Sequence, residues 1–392
     1  MHDLKTELEQ EKEYLVRLRR DFHRHPELSL REFRTADRIE EELDRFGISH
    51  ARAGDTGVLG ILRGTGAGAG AIVLRADIDA LPIQETHETS YCSATPGVMH
   101  ACGHDAHASC LLGAAKYLAA HRELFGGEVR LIFQPAEEIG QGAKPFVEAG
   151  ALAGAGRVFG IHTASDLPAG SVGIKRGLNN AAVDHFKIEI QGKSAHVSTP
   201  QLGVDALYIA SQIVVAIQAL VTRLTSPVEP VIIGVGKLNA GTAYNALAES
   251  AVLEGTTRTV SQASRERIQK LVSETAHSIA GIYGGAAELK WTDFAAPLLN
   301  DPQACVEVVG VVEALWGAGK VIANRQLSLS GDNFAEYLLH IPGAYAYLGT
   351  GNPALPNTVV SNHNGEFDID EDALVMGAEL YAGYAISVVS VE

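Results

Sequence analysis

The chain has 392 residues, of which 46% are hydrophobic, and its 31 basic against 47 acidic residues leave a net charge of −16. This length suggests two domains with sizeable cores. The acidic balance argues against a nucleic-acid binder, which needs a basic surface, and no polybasic membrane patch is present. The four cysteines are too few for a disulfide framework in so long a chain. Because the charged N-terminus is also unlike a signal peptide, we expect a cytoplasmic protein.

Helices and short strands alternate along the first half of the chain. Apolar residues at helical spacing predict helices over the first forty-odd residues, with a break at Pro26. Short apolar runs predict strands at 57–64, 71–83, 129–135 and 157–162, with helical stretches at 105–124 and 141–151. The glycine-rich run GTGAGAG between the first two strands predicts a hairpin turn. This alternation indicates an α/β domain with a mostly parallel sheet.

The pattern changes near residue 183. A strand at 185–192 is followed by a helix at 204–224, two strands, a helix at 264–282 and a strand at 286–293. This β-α-β-β-α-β order is ferredoxin-like and predicts an inserted α+β domain over 183–294. The flanking segments, 1–182 and 295–392, are predicted to form one discontinuous catalytic domain.

The motif MHACGHDAH brings Cys102 and His104 two positions apart, just before a predicted helix. Cysteine and histidine are the side chains that bind zinc and neighbouring transition metals. The alternative is a loop with incidental histidines and a small buried cysteine. A spacing this short does not decide between the two by itself.

Three further segments carry candidate ligands. Glu137 and Glu138 follow the apolar strand VRLIF, at the carboxyl end where open α/β sheets bind ligands. His162 ends the strand RVFGIH, and His363 lies in SNHNGEFDID. The alternatives are an acidic helix start, a hydrogen-bonded core histidine and a surface histidine beside a helix cap. Together, however, these residues supply enough mixed ligands for two metal ions, a known arrangement for hydrolysing amides.

Several motifs in order along the chain carry a family resemblance. They are LRADIDALPI, MHACGHDAH, FQPAEE, GIH followed by LPAGSVGIKRG, GKSAHVSTPQLGVDA and the late segment with His363. This series resembles the M20 metallopeptidase clan, specifically its aminoacylase and amidohydrolase branch with hippurate hydrolase and auxin-conjugate hydrolases. The resemblance covers nearly the whole chain and implies a two-metal catalytic domain with an inserted lid or dimerisation domain.

The resemblance also implies roles for individual residues. The implied metal ligands are Cys102, His104, Glu138, His162 and His363, with the Cys102 thiolate a candidate bridge between the metals. Glu137 corresponds to the general base. Asp77 resembles the aspartate that orients a ligand histidine, and His196 the inserted-domain histidine that reaches into the partner protomer's site. Asn245 and Arg258 resemble residues that bind substrate.

The chain departs from the family where the substrate binds. Ala-Leu-Ala follows Asn245 where the family has Val-Ile-Pro, and Gln201 stands where it has histidine after proline. A Glu-Asp pair before phenylalanine is here Asp332-Asn333. These changes leave the implied metal ligands intact and leave the substrate open.

We therefore expect a homodimeric amidohydrolase that cleaves N-acyl amino acids of acetyl or aroyl type to a carboxylate and a free amino acid. The implied cofactors are two divalent metal ions, with zinc, manganese, nickel and cobalt as candidates. One alternative is a non-catalytic, metal-stabilised binding protein. Another keeps the chemistry but changes the substrate to a dipeptide, N-acetyl-diaminopimelate or N-acetylcysteine.

Overall fold

The structure is a computed structural model that describes residues 2–66, 68–323 and 325–389. Its helices are α1 (His2–Gln10), α2 (Lys12–Arg24), α3 (Phe33–Arg45), α4 (His104–Ala120), α5 (Ala143–Glu148), α6 (Ala206–Leu224), α7 (Gln262–Ile282), α8 (Pro302–Trp316), α9 (Ala335–Leu338) and α10 (Ala373–Val389). Its strands are β1 (Ser49–Ala53), β2 (Gly57–Arg63), β3 (Ala71–Asp77), β4 (Glu128–Gln134), β5 (Ala155–Pro168), β6 (Val172–Gly173), β7 (Gly177–Asn180), β8 (Ala182–Gln191), β9 (Val231–Ala240), β10 (Ser250–Thr259), β11 (Ala286–Ala295), β12 (Leu298–Asn300), β13 (Val321–Ile322) and β14 (Gly343–Gly351).

The chain divides into two compact units. The larger comprises Met1–Gly177, Leu299–Gln326 and Asn333–Glu392, and the smaller comprises Leu178–Leu298 and Leu327–Asp332. The short second segment of the smaller unit differs from the domain bounds expected from the sequence. It belongs there because the backbone N–H of Ala181 donates to the carbonyl of Ser328 at 2.9 Å.

An eight-stranded sheet forms the centre of the larger unit, in the order β1-β2-β4-β3-β5-β14-β6-β13. The β4–β3, β3–β5, β5–β14 and β6–β13 pairs are parallel. Every residue of β3 and of β14 is buried, as expected of parallel strands covered on both faces. The predicted mostly parallel α/β class is confirmed.

The predicted hairpin at the glycine-rich run is wrong. Strand β4 lies between β2 and β3, pairing antiparallel with the first and parallel with the second. A hairpin requires its two strands to be adjacent, and here the intervening position is filled by a strand more than fifty residues further along the chain.

Helices α2, α4 and α10 pack together beside this sheet and share its core. Leu15, Leu18 and Phe22 of α2 are fully or almost fully buried at the helical spacing seen in the sequence. Nearly all of α4 is buried, which fixes the first turn of this helix next to the ends of the central strands.

The smaller unit has the β-α-β-β-α-β order expected from the sequence. Its antiparallel sheet runs β11-β8-β10-β9, so that β9 and β11 are the edge strands. By length and composition alone, α6 is apolar enough to cross a membrane, with 28% of the tested window buried. Its face with Ile209, Ile213 and Ile217 lies in the core of the unit. We therefore interpret α6 as a core helix that also carries an apolar outer face.

Candidate metal centre and active site

A glycine in the left-handed backbone conformation lies between Cys102 and His104. Gly103 precedes α4 with φ of 84°, a conformation that side-chain-bearing residues rarely adopt. A Cβ atom there would lie 2.3 Å from Oγ1 of Thr163 on β5. The glycine therefore lets the chain turn sharply against β5, so that Cys102 and His104 both reach the same site.

His104 is held in the tautomer that a metal ligand needs. Its Nδ1 donates to the backbone carbonyl of Asp79 at 2.9 Å and lies 3.2 Å from the Asp79 carboxylate. Asp79 also accepts from the backbone N–H of Glu138 at 3.0 Å. One carboxylate thus fixes two predicted ligands, and Nε2 of His104 keeps its lone pair.

Asp77 was expected to orient a ligand histidine, and the structure assigns that contact to Asp79 instead. Asp77 accepts a hydrogen bond from His107, while its other oxygen lies 3.7 Å from Nε2 of His104. His107 in turn accepts the backbone N–H of Thr163 at its Nε2, at 2.8 Å. Because both nitrogens of His107 are engaged, this buried histidine has no lone pair for a metal.

The two glutamates after β4 point to different partners. Ala136, just before them, has φ of 52° and donates its backbone N–H to the buried Glu32 at 2.8 Å. Such a strained conformation at a non-glycine residue costs about 1–3 kcal/mol and is typical of functional sites. Beyond it, Glu137 accepts the backbone N–H of Asn333 at 3.1 Å, whereas Oε1 of Glu138 lies 3.8 Å from Nε2 of His104.

His162 lies within β5 rather than at its end, because β5 continues to Pro168. The pairing of β3 with β5 ends at Arg75 and Gly160, so His162 lies two residues past the last pair, level with Asp77 at the end of β3. Its Nδ1 donates to the carbonyl of Thr163 at 2.7 Å, and its Nε2 lies 3.4 Å from Sγ of Cys102.

His363 reaches the site from a loop. It has a φ of 63° and its backbone N–H donates to the carbonyl of Ala101 at 2.8 Å. Its Nε2 is 3.4 Å from Oε1 of Glu138, and 53% of its side chain is exposed, so this edge of the site is open to solvent. The neighbouring Asn362 directs its side-chain amide at Cys102, with Nδ2 3.6 Å from Sγ.

The five predicted ligands form two overlapping groups whose donor atoms lie within 4.8 Å of one another. One group contains Cys102, His104 and His162, and the other contains Cys102, Glu138 and His363. Among the described residues, Nε2 of His104 and Oε1 of Glu138 are buried without a hydrogen-bond partner. Such orphaned atoms are costly unless a ligand satisfies them, so the donor set fits metal ions. The ligand roles themselves stay predictions.

Burial and neighbouring charges favour a neutral imidazole at His162 and an ionised carboxylate at Asp77. Burial lowers the pKa of His162 well below its ordinary value, which keeps its imidazole neutral. Burial raises the pKa of the Cys102 thiol, and the Glu138 carboxylate raises it further. Burial would also raise the pKa of Asp77, but the Arg75 cation and the hydrogen bond from His107 hold it well below the ordinary value.

A buried ionic cluster behind the site was not foreseen from the sequence. Arg19 donates to Asp105 at 2.8 Å and to Asp368 at 2.7 Å, and Nδ1 of His23 lies 2.7 Å from Asp105. Asp105 follows His104, and Asp368 follows the loop that carries His363. The cluster therefore ties both ligand-bearing segments to α2. Its partners are separated by 86 and 349 positions, which no local pattern reveals.

The remaining predicted site residues belong to the smaller unit. Exposed His196 forms an isolated bridge with Ala246, and the backbone N–H of Val197 donates to the carbonyl of Asn245 at 3.1 Å. Nδ1 of His196 accepts the backbone N–H of Ser198 at 3.1 Å, which leaves the ring proton on Nε2.

Arg258 lies at the other end of this sheet. It pairs with Ile232 near the start of β9, whereas Asn245 precedes β10 and follows β9. At about 3.3 Å per residue, the length of β10 separates Arg258 from Asn245 by roughly 25 Å. Nε of Arg258 donates to the carbonyl of Leu329 at 3.0 Å. One copy of the smaller unit therefore does not bring the predicted substrate-binding residues together.

Comparison with known proteins agrees with this geometry. The chain matches the family model described as Peptidase family M20/M25/M40 over residues 73–387. It is 36% identical over 388 residues to thermostable carboxypeptidase 2 of Saccharolobus solfataricus, covering 98% of this chain and 97% of that protein. It is 40% identical over 363 residues to the N-acetyl-L-cysteine deacetylase of Bacillus subtilis, covering 92% and 85%.

A solved structure is similar along the whole fold. The Bacillus subtilis YxeP protein, described as a dinuclear metal-binding peptidase of the M20 family, is 34% identical and superposes with a TM-score of 0.82, covering 97% of this chain and 99% of that one. These relatives are a carboxypeptidase, a deacetylase and a peptidase, so the enzyme prediction is confirmed at the level of a metal-dependent amide hydrolase. The chain belongs to peptidase family M20/M25/M40.

Proposed function

We propose that this protein is a two-metal hydrolase of N-acyl amino acids, with N-acetyl and N-aroyl amino acids as its substrates. The observation that carries the proposal is the pair of orphaned atoms, Nε2 of His104 and Oε1 of Glu138, beside the oriented carboxylate of Glu137. Cys102, His104, Glu138, His162 and His363 would hold the metals. A thiolate among the ligands suits zinc, nickel or cobalt, and manganese remains a candidate.

Divalent metals in such a site supply a Lewis acid for the amide carbonyl and lower the pKa of a bound water to about 7. Glu137 takes the proton from the attacking water and then delivers it to the leaving amine. The N–H of Asn333 holds one oxygen of Glu137 at 3.1 Å and fixes the direction in which the carboxylate faces. Burial of Glu137 keeps bulk water away from this proton transfer.

His196 would stabilise the negative charge that develops on the amide oxygen. Its Nδ1 accepts from the backbone of Ser198, so Nε2 carries the proton and is free to donate to an oxyanion. A donor of this kind is typically worth about 3 kcal/mol in the transition state.

A homodimer would account for the distance between Arg258 and Asn245 within one copy of the smaller unit. Because Arg258 and Asn245 lie at opposite ends of β10, two copies of the unit are needed to contact one substrate from both ends. Edge strand β9 and the outer face of α6, where Val215 is 70% exposed, offer an apolar surface for the second copy. We propose that His196 and Asn245 act in the site of the partner subunit.

Mixing two inactive variants tests this arrangement. Glu137→Gln and His196→Ala should each be nearly inactive alone. After they exchange subunits, each mixed dimer would have one site with both residues intact, so activity should return to about a quarter of wild type. No recovery, despite subunit exchange verified by mass spectrometry, would show that His196 acts within its own chain or not at all.

A substrate panel tests the proposed reaction. Metal-loaded protein is expected to release amino acid from N-acetylmethionine, N-benzoylglycine and N-acetylcysteine, and to hydrolyse a dipeptide more slowly. A chelator should remove the activity, and zinc, manganese, nickel and cobalt, added singly, should restore it to different extents. Amino-acid release that persists unchanged after complete metal removal would contradict the proposal.

We also propose that the protein works in the cytoplasm. The support is its four free cysteines, including the predicted ligand Cys102, which a reducing compartment preserves from oxidation.

A further inference from the structure

A row of paired residues crosses the central sheet beside His162. Tyr347 of β14 pairs with His162 of β5 on one side and with Gly173 of β6 on the other. Residues paired in this way project their side chains from the same face of a sheet. Asp166 follows His162 by four positions on β5, in the irregular stretch where Ala164 pairs with Gly349 and Pro168 with Gly351. The ring centroids of His162 and Tyr347 are 6.4 Å apart.

Arg325 lies over this row. Its Cζ is 3.5 Å from the centroid of the Tyr347 ring. Gly173 lies next to both side chains, since a Cβ at that position would lie 3.4 Å from Cβ of Tyr347 and 3.7 Å from Cδ of Arg325, although its closest neighbour would be Cδ1 of Leu167 at 2.7 Å. Stacking on an aromatic ring holds a guanidinium in a fixed plane, so Arg325 presents its N–H groups in a defined direction.

The guanidinium is only partly satisfied. Nη2 donates to Oδ1 of Asp166 at 2.8 Å, and the Asp166 side chain is 64% exposed. Nη1 is buried and has no hydrogen-bond partner among the described residues. A buried, unsatisfied donor on a cation is costly, and a carboxylate is the group that pairs with it most strongly.

We infer that Arg325 is a specificity-determining residue that binds a second carboxylate of the substrate, one carried on the acyl group or on the amino-acid side chain. The inference rests on the proposed function, because it takes the amide to be bound beside His162. The exposed Asp166 keeps Arg325 in place when the substrate lacks this carboxylate and competes with the carboxylate when it is present.

Matched substrates measure this preference. N-acetylglutamate and N-acetylglutamine differ by a carboxylate on the amino-acid side, whereas N-succinylmethionine and N-acetylmethionine differ by one on the acyl side. Arg325→Met is expected to raise KM at least about tenfold for the dianion of one pair, with kcat and metal content little changed. Its monoanionic counterpart should be affected less than about twofold. The pair whose KM ratio changes shows whether Arg325 binds a carboxylate on the acyl side or on the amino-acid side of the substrate.

Asp166→Asn distinguishes recognition from a structural ion pair. It removes the competing carboxylate, so KM for the same dianion should fall, opposite in direction to the Arg325→Met effect. Arg157→Met is the matched control, since Arg157 also makes a 2.8 Å ion pair, with Glu307, near the opposite end of β5. It should leave the ratio of KM values within each pair unchanged.

Binding of the dicarboxylate succinate, compared with acetate by calorimetry on the metal-loaded protein, tests Arg325 independently of turnover. Weaker succinate binding to the Arg325→Met variant supports the inference even if no panel substrate is hydrolysed, a result that would contradict only the proposed function. If neither KM ratio changes and succinate binding is the same for wild type and variant, Arg325 is an ordinary surface ion pair and the inference is overturned.

Discussion

Glu137→Gln is expected to lower kcat by about a hundredfold to ten-thousandfold while leaving the metal stoichiometry unchanged. The amide of glutamine is close to the carboxylate in size and can still accept the N–H of Asn333, which is 3.1 Å away in the wild type. It cannot accept a proton from water, so the loss reports the missing base rather than a disturbed site. Metal content by atomic emission, measured with the steady-state rate, separates the two.

Two other glutamates, the adjacent Glu138 and the more distant Glu148, serve as comparisons. Glu138→Gln should lose metal as well as activity, because Oε1 of Glu138 lies between His104 and His363. Glu148→Gln, at the end of α5 and solvent-exposed, should change neither. Near-normal turnover in the Glu137→Gln variant would remove Glu137 from the mechanism.

Cys102→Ala is expected to lower metal occupancy more than loss of any other single ligand. Cys102 is a member of both the group with His162 and the group with His363, so its removal weakens both metal positions. We expect the variant to bind less than one metal per chain under conditions where wild type binds two, with activity falling in parallel. Equilibrium dialysis against zinc gives the stoichiometry, and the cobalt-loaded protein should lose its sulfur-to-metal absorption.

Cys110→Ala is the matched control. Cys110 lies on α4 eight positions after Cys102, is also buried, and contacts the carbonyl of Leu374 and the backbone position of Gly377. The variant should lose some stability through the small cavity but keep both metals. Full metal occupancy in the Cys102→Ala variant would eliminate the thiolate as a ligand.

Much of the site was predictable because its parts are local. Cys102 and His104 lie in one short motif, and Glu137 and Glu138 follow a recognisable strand. The βαββαβ order of the smaller unit could also be predicted, because apolar residues recur at helical spacing in α6 and at every second position in β8.

What escaped prediction depends on contacts between distant segments. The position of β4 between β2 and β3 is a choice of sheet order, which strand patterns do not encode. Asp77 and Asp79 are both aspartates and lie only two positions apart, so the sequence does not show which of them His104 contacts. The fold decides that His104 donates to Asp79. Arg325 follows a two-residue strand, and nothing in its local sequence predicts its position. That position depends on β6 and β14, which bring Gly173 and Tyr347 next to it.

The order of strands also has a consequence for synthesis. β14 lies between β5 and β6 in the central sheet, yet it follows the whole smaller unit in the chain. At typical elongation rates, a nascent chain leaves the backbone N–H and C=O groups along one edge of β5 unpaired for roughly 10–30 s after β5 has left the ribosome. The smaller unit has nearly all of its residues in one segment and can fold during that interval. The open edge of β5 is therefore the point at which an unfinished chain is most exposed to aggregation and to capture by chaperones.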